Sequence, residues 1–298
     1  MRMTHSLAAW GLVLNAFVWG VSWYPFRLLE AEGLHPLWST AIIYGLALLA
    51  LLVWRPGSWR ALLHHPLLWL LMLASGLTNV GFNWAVTVGD VVRVVLLFYL
   101  MPAWSVLLAW ALLGERPHAS ALLRLLLALV GVVIVLKTPE SPWPVPHTLP
   151  DWLALMGGFS FALTNVLLRK LRDTPDDARM VAMFAGGTLM ALLTALGGQP
   201  SGLVSPLPAL ANGWLWLVLA TSLAFLAANL GLQFGAARLP AATTSLVMLT
   251  EVVFASVSSV LMGAAELQSR TLLGGALILL AALWAAWPER STRREITP

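Results

Sequence analysis

Ten apolar stretches follow one another along the chain, broken by short segments rich in charge, proline and glycine. Their approximate bounds are 8–29, 36–54, 66–88, 93–113, 119–137, 150–170, 177–196, 212–235, 240–263 and 269–287. A helix of about 20 apolar residues is long enough to cross the hydrocarbon core of a bilayer. Each stretch therefore predicts a membrane-crossing helix. Charged residues are 10% of the chain and apolar residues 59%, against about 25% and 45–50% in soluble domains. No connection is long enough to be a domain, which excludes a soluble enzyme with a separate catalytic unit. With no cysteine, disulfides, thiolate metal sites and cysteine nucleophiles are excluded together.

The first stretch imitates a secretory leader, since Arg2 precedes it. It carries Asn15, Trp19, Trp23 and Tyr24 without a small-residue cleavage site, so it is read as a retained helix. The longest connection, 138–149, holds Pro139, Pro142, Pro144 and Pro146 and is read as a stiff linker between two halves. The net charge of +4 sits in short loops, which makes it a topology signal and not a nucleic-acid surface. Ten crossings put both termini on one side. That side receives thirteen Lys and Arg residues (among them Arg55, Arg60, Arg172, Arg179 and Arg290), and the other receives Arg27, Arg93, Lys137 and Arg270. The positive-inside bias places both termini in the cytoplasm. Trp10, Trp38, Trp54, Trp69, Trp152, Trp214, Trp284 and Trp287 fall near the ends of stretches, as an interfacial belt requires.

The two halves repeat. Asn79-Val80-Gly81-Phe82-Asn83-Trp84 returns as Asn229-Leu230-Gly231-Leu232-Gln233-Phe234, an offset of 150. The same offset pairs Val95 to Pro102 with Ser245 to Val252, and Ala121-Leu122-Leu123 with Thr271-Leu272-Leu273. Before the linker the offset is 142, matching Trp19-Gly20 to Phe161-Ala162 and Arg27 to Arg169. The organisation is a first five-helix repeat over 1–137, the linker 138–149, a second five-helix repeat over 150–287 and a tail 288–298. Five is odd, so equivalent helices cross in opposite senses. The fold class is an all-α membrane protein of ten transmembrane helices, two inverted five-helix repeats around a central cavity. Such repeats build many secondary transporters, with the site where the halves meet.

Two repeats, each closing a helix on Leu112-Leu113-Gly114-Glu115 or its weaker copy Gly263 to Glu266, resemble the drug/metabolite transporter superfamily, EamA type. The resemblance covers about residues 8–287. With Trp19, Trp23, Tyr24, Trp84, Tyr99 and Trp104, the chain looks most like the aromatic amino acid exporters of that superfamily. The resemblance implies a multi-pass exporter of the bacterial inner membrane with a basket-like fold. It implies a cavity among the first, third, fourth, sixth, eighth and ninth helices, the fifth and tenth being peripheral. The second repeat often carries Glu-Pro where this chain has Glu251-Val252, which removes the proline that would kink the ninth helix.

Polar groups at bilayer depth are costly and face a cavity or another helix. Asn15, Trp19 and Trp23 recur every four residues, as do Asn79 and Asn83, with Phe82 beside them. Asn229 with Gln233, and Phe161 with Asn165, repeat the arrangement. Amides can donate to a carboxylate and accept from an ammonium, while ring faces hold an aromatic ring or a cation. The other reading of the amides is hydrogen bonding between helices. Trp84 and Trp110 are assigned to packing. Glu251 is the one acid well inside a stretch, placed to bind a substrate ammonium, carry a coupling proton, pair with a cation or make a structural hydrogen bond. Thr244 and Met248 share its face, with Tyr99 and Met101 as their counterparts. Arg27 and Arg169, at the ends of stretches, are read as snorkelling to headgroups. Gly20, Gly81 and Gly231 would let helices approach closely, and Gly274-Gly275-Ala276 serves either a dimer contact or internal packing, for a monomer or a homodimer.

The histidines fall in loops or termini without metal-ligand spacing, and no Gly-Lys-Ser/Thr phosphate loop exists. No cofactor is expected. The expectation is a secondary exporter working by alternating access, not an enzyme, with aromatic amino acids as its first cargo. Alternative cargoes are threonine- or homoserine-like amino acids, nucleosides or cationic drugs. A lipid-modifying enzyme and a membrane scaffold are the other classes, and neither has a supporting cluster or domain.

Overall fold

A computed structural model describes residues 2–114, 119–136, 145–209, 213–236, 238–239, 247–248, 250–264 and 268–286. Glu115, most of the Pro-rich linker, Thr244, Trp287 and the tail lie outside these residues, as does the side chain of Gln233. The regular elements among the described residues are helices: α1 (Arg2–Val21), α2 (Trp23–Ala31), α3 (Pro36–Trp54), α4 (Ala61–His64), α5 (Leu67–Val88), α6 (Val91–Phe98), α7 (Met101–Leu113), α8 (Ala119–Leu136), α9 (Leu149–Lys170), α10 (Asp176–Gly198), α11 (Trp214–Ala236), α12 (Thr250–Leu261) and α13 (Ser269–Ala286). In a bilayer only a helix or a closed barrel satisfies its own backbone, and these apolar sequences take the first route.

Among the described residues, seven helical segments are long and apolar enough to cross a membrane: Ser6–Ala31, Pro36–Trp54, Leu67–Val88, Val91–Leu113, Leu149–Lys170, Asp176–Gly198 and Trp214–Leu232. Three shorter apolar helices, Leu122–Val135, Thr250–Leu261 and Ser269–Ala281, fall within the remaining apolar stretches.

Two stretches read as single helices are each two helices. The first breaks at Ser22, where the backbone N–H turns back to the Trp19 carbonyl at 3.2 Å. Pro25 is the cause, since it has no N–H for the bond to Val21 and its ring crowds that carbonyl. The fourth breaks at Tyr99 and Leu100, two residues before a proline that cannot bond back to Phe98. Both breaks fall inside apolar segments and re-aim the residues that follow them. At their C-terminal ends, α7 and α12 each run into a glycine of positive φ, Gly114 at 72° and Gly263 at 67°. That left-handed conformation lets the last carbonyls find N–H partners without a Cβ clash.

The main packed pairs are α5 with α9 and with α10, α1 with α11, α3 with α10, and α8 with α13. Glycine makes the closest approaches. A Cβ at Gly231 of α11 would stand 2.6 Å from the Gly11 carbonyl of α1, and one at Gly81 of α5 would stand 2.6 Å from the Leu153 carbonyl of α9. Gly131 and Gly274 face one another in the same way between α8 and α13, so Gly274 serves internal packing.

The belt reading needs correcting at two tryptophans. Trp10, Trp54, Trp69, Trp152 and Trp284 are exposed, but Trp38 and Trp214 are buried at 6% and 3% exposure. Trp38 donates from Nε1 to the Ser205 carbonyl at 2.9 Å, and Trp214 donates to the Ala209 carbonyl at 3.3 Å. An indole at a span end turns inward when a loop carbonyl offers it a partner. Arg27 does not snorkel either. Its guanidinium donates to the Thr87 carbonyl at 3.1 Å and to the Gly89 carbonyl at 2.5 Å, and lies 5.2 Å from the Trp23 ring centroid. Those carbonyls close α5, where the helix dipole favours a cation. Arg169 is exposed at the end of α9.

Candidate functional site

The centre of the molecule is a run of aromatic rings contributed by six helices. Trp19 of α1 lies 4.8 Å from Phe225 of α11 and 6.0 Å from Phe82 of α5, centroid to centroid. Phe82 continues to Phe98 of α6 at 4.8 Å, and Phe98 to Phe161 of α9 at 5.4 Å. On the other flank Phe225 meets Tyr44 of α3 at 5.7 Å. Tilted and edge-on contacts of this kind place the positive rim of one ring on the face of the next.

An acid borders this run. Glu251, in the first turn of α12, is buried at 9% exposure and accepts from the Tyr99 hydroxyl at Oε2, 3.3 Å away. Tyr99 also points at the Met248 carbonyl, 3.4 Å away. The break between α6 and α7 is what presents Tyr99, and Gly20 is what admits α12: a Cβ there would stand 2.7 Å from the Glu251 carbonyl. Gly20, next to Trp19 in sequence, thus seats α1 against the backbone of Glu251.

Three of the amides are engaged with other helices and one with its own. Asn15 donates from Nδ2 to the Ala228 carbonyl of α11 at 2.9 Å. Asn83 donates to the Thr40 hydroxyl of α3 at 3.1 Å. Asn79 accepts from the Tyr44 hydroxyl and donates to the Ser75 carbonyl at 2.8 Å. Asn229 donates to the Phe225 carbonyl, one turn earlier in its own helix, at 3.4 Å. The Oδ1 atoms of Asn15 and Asn83 are buried without a donor among the described residues.

The sequence-derived set therefore divides. Trp19, Phe82, Phe161, Tyr99, Met248 and Glu251 form one connected group. Asn15, Asn79 and Asn83 brace helices around it. Asn165 is half-buried on α9, one turn beyond Phe161. Trp23 stands apart, since the break at Ser22 turns it toward Arg27, and its Nε1 donates to Ser258 of α12 at 3.0 Å. Thr244 and the Gln233 side chain are outside the described residues.

Sequence reasoning missed Phe98, Phe225, Tyr44 and Thr40. Phe98 and Phe225 were within reach, one beside Tyr99 in a repeated run and the other one turn before Asn229. Thr40 and Tyr44 sit in the second apolar stretch, which the family expectation left outside the cavity. Also missed was the pairing of Arg93 with Asp151, a second buried acid at the start of α9.

The EamA-like transporter family model matches residues 6–137 and again 148–287, one match in each half of the chain. The chain belongs to this family. Among EamA-like relatives, protein RarD of Streptomyces exfoliatus is 30% identical over 192 residues, covering 63% of this chain and 55% of RarD. The uncharacterized transporter PA0485 of Pseudomonas aeruginosa is 30% identical over 171 residues, covering 53% of each chain. An uncharacterized transporter of Helicobacter pylori is 28% identical over 199 residues, 63% of this chain and 62% of that one. The matched region thus spans little more than half the length of the first two relatives. A solved structure at 19% identity covers 94% of this chain and 96% of its own, with a TM-score of 0.55, a likeness of fold. This member of the EamA-like family is a multi-span membrane protein of a transporter family.

Proposed function

We propose that the protein is a secondary exporter of aromatic amino acids and related small amphipathic metabolites, working by alternating access. In this reading ten helices cross the bacterial inner membrane as two inverted five-helix repeats, with both termini in the cytoplasm. The cargo occupies the ring run of Trp19, Phe82, Phe161 and their neighbours, beside Glu251 and Tyr99.

The observation that carries this reading is the composition of that centre. Rings from both halves of the chain form one connected run, and Tyr99 at its edge donates to a buried carboxyl, which suits a ring-bearing solute with an amino group. The helix packing supports the repeat. Gly231 lies against the Gly11 carbonyl and Gly81 against the Leu153 carbonyl. Gly81 and Gly231 are related by the offset of 150, and Gly11 and Leu153 by the offset of 142, so the two contacts are copies of each other.

The test is uptake of labelled tryptophan, phenylalanine and threonine into liposomes holding the purified protein, with and without an imposed proton gradient. Saturable aromatic uptake, abolished by Trp19→Ala, is the expected result. Aromatic flux equal to that of empty liposomes while threonine moves would overturn the cargo and leave the transporter.

A further inference from the structure

Glu251 sits where the two halves of the chain meet. The offset of 150 carries it onto Met101, two residues from Tyr99, so the acid and the hydroxyl it faces come from nearly equivalent points of the repeat. The break between α6 and α7 places Tyr99 there, with its ring 6.3 Å from Phe98, a member of the ring run. The carboxyl thus joins the first half to the second at the edge of the candidate transport site.

No fixed cation answers it among the described residues. Glu251 is the only charged residue of its stretch, 240–263. Of the helices packed against α12, α1 carries only Arg2 and His5, about four turns before Gly20. The other, α6, carries Arg93, which is bound to Asp151, and Asp90 as its cap. Through Trp23, α2 also reaches α12; it carries the exposed Tyr24, Arg27 held by the carbonyls that close α5, and Glu30 near its end. The titratable group that faces the Glu251 carboxyl is Tyr99.

The Tyr99 oxygen stands 3.3 Å from Glu251 Oε2 and 3.4 Å from the Met248 carbonyl, and its one hydrogen serves one of them at a time. When the carboxylate is charged, Tyr99 donates to it. When the carboxyl carries a proton, it can donate to the Tyr99 oxygen and leave the Tyr99 hydrogen for the Met248 carbonyl. The two states differ in how a residue of the first half holds the second. Ionisable side chains at bilayer depth mark ion pathways and proton relays.

We propose that the protein exchanges its cargo for a proton carried on Glu251. The proton passes from water on one side to a carboxylate oxygen, forming an O–H bond. That bond breaks to water on the other side once the halves have moved. A carboxyl that holds a proton has no charge left for a cargo ammonium, so proton and cargo take turns at it. This rests on the reading of the ring run as the transport site. Tyr99 is a positioning residue that acts through the carboxyl.

The experiment measures labelled tryptophan in proteoliposomes of the full chain, with a pH dye in the lumen and the membrane potential clamped at zero. An acid lumen is expected to speed uptake, a reversed gradient to slow it, and tryptophan entry to make the lumen more alkaline. One-for-one exchange lets a tenfold proton gradient sustain up to about a tenfold tryptophan gradient. In Glu251→Gln the ratio of flux with and without the gradient falls to one. Tyr99→Phe keeps the response and moves its pH midpoint. All forms are compared at equal amounts of monodisperse protein. A Glu251→Gln protein that responds to the gradient like the wild type would overturn the proposal. If that variant moves no tryptophan, an unmoved midpoint in Tyr99→Phe overturns it instead. Tryptophan flux in the wild type without proton movement, or sped by an alkaline lumen, would overturn the exchange and leave aromatic transport standing. Tryptophan flux no greater than in empty liposomes would overturn the transport site and this proposal with it.

Discussion

Arg93 of α6 and Asp151 of α9 are joined by two parallel hydrogen bonds, Nε to Oδ1 at 2.7 Å and Nη2 to Oδ2 at 3.0 Å. The same guanidinium donates to the Val135 carbonyl of α8 at 2.8 Å, and the backbone N–H of His147 reaches Asp151 at 3.4 Å. One ion pair thus binds three helices and joins the halves of the chain. Asp151 is 1% exposed, so its charge depends on that partner. Removing either residue leaves a buried charge unmatched, at a cost of about 3–5 kcal/mol. Asp151→Asn and Arg93→Met are expected to lower the melting temperature of the detergent-solubilised protein sharply. The apolar double variant Arg93→Met with Asp151→Leu is expected to recover most of the loss. A double variant as unstable as the sum of the singles would contradict this account.

The glycine contacts make a graded prediction. Gly231→Ala and Gly81→Ala each force a methyl to within 2.6 Å of a backbone carbonyl on the facing helix, and neither backbone can move alone. Each is expected to cost about 1–3 kcal/mol, the usual range for overpacking. At Gly45 the nearest atom to a Cβ is the Thr188 methyl at 3.5 Å, an ordinary contact. Gly45→Ala should match the wild type in a thermal melt monitored by monodispersity.

His35 gives a pH dependence whose sign is fixed by its geometry. Its Nδ1 caps α3 by accepting from the Leu37 N–H at 3.2 Å, which only the ring without a proton on that nitrogen can do. Burial holds its pKa below the ordinary value of 6.5. As pH falls, the unfolded chain therefore takes up this proton before the folded one. The stabilisation is complete above about 6.5 and is lost as pH falls through the folded value. Melting temperature should decline from pH 7 toward pH 5. His35→Asn, a cap that does not titrate, should flatten that decline. An equal decline in the variant would assign the effect to other groups.

Periodic chemistry reads well from one dimension, and the apolar stretches show it. Helix positions follow from runs of apolar residues because an isolated backbone in hydrocarbon has one way to satisfy itself locally. The third and sixth stretches, expected at 66–88 and 150–170, are the helices Leu67–Val88 and Leu149–Lys170. The repeat was legible for the same reason, since equivalent environments select equivalent residues such as Gly81 and Gly231. Trp19, Phe82, Phe161 and Glu251 could be named from residue type and spacing alone. What each touches was not legible. Pro25 was in plain view, yet the consequence of its break, Trp23 turned away from Trp19, needs the path of the chain beyond Ser22. Thr40 and Tyr44 look like ordinary residues of an apolar helix until α3 is laid against α5 and α11.

Local sequence thus determined which segments are helices, where prolines break them and which side chains are too costly to leave unmatched in lipid. The tertiary structure decided the partners: Asn15 with α11, Arg27 with the end of α5, Arg93 with Asp151, and Glu251 with Tyr99. Each of these joins residues far apart in sequence. Such pairings depend on how whole helices register against one another, and that register is set by the sum of many close contacts, which no short window of sequence contains.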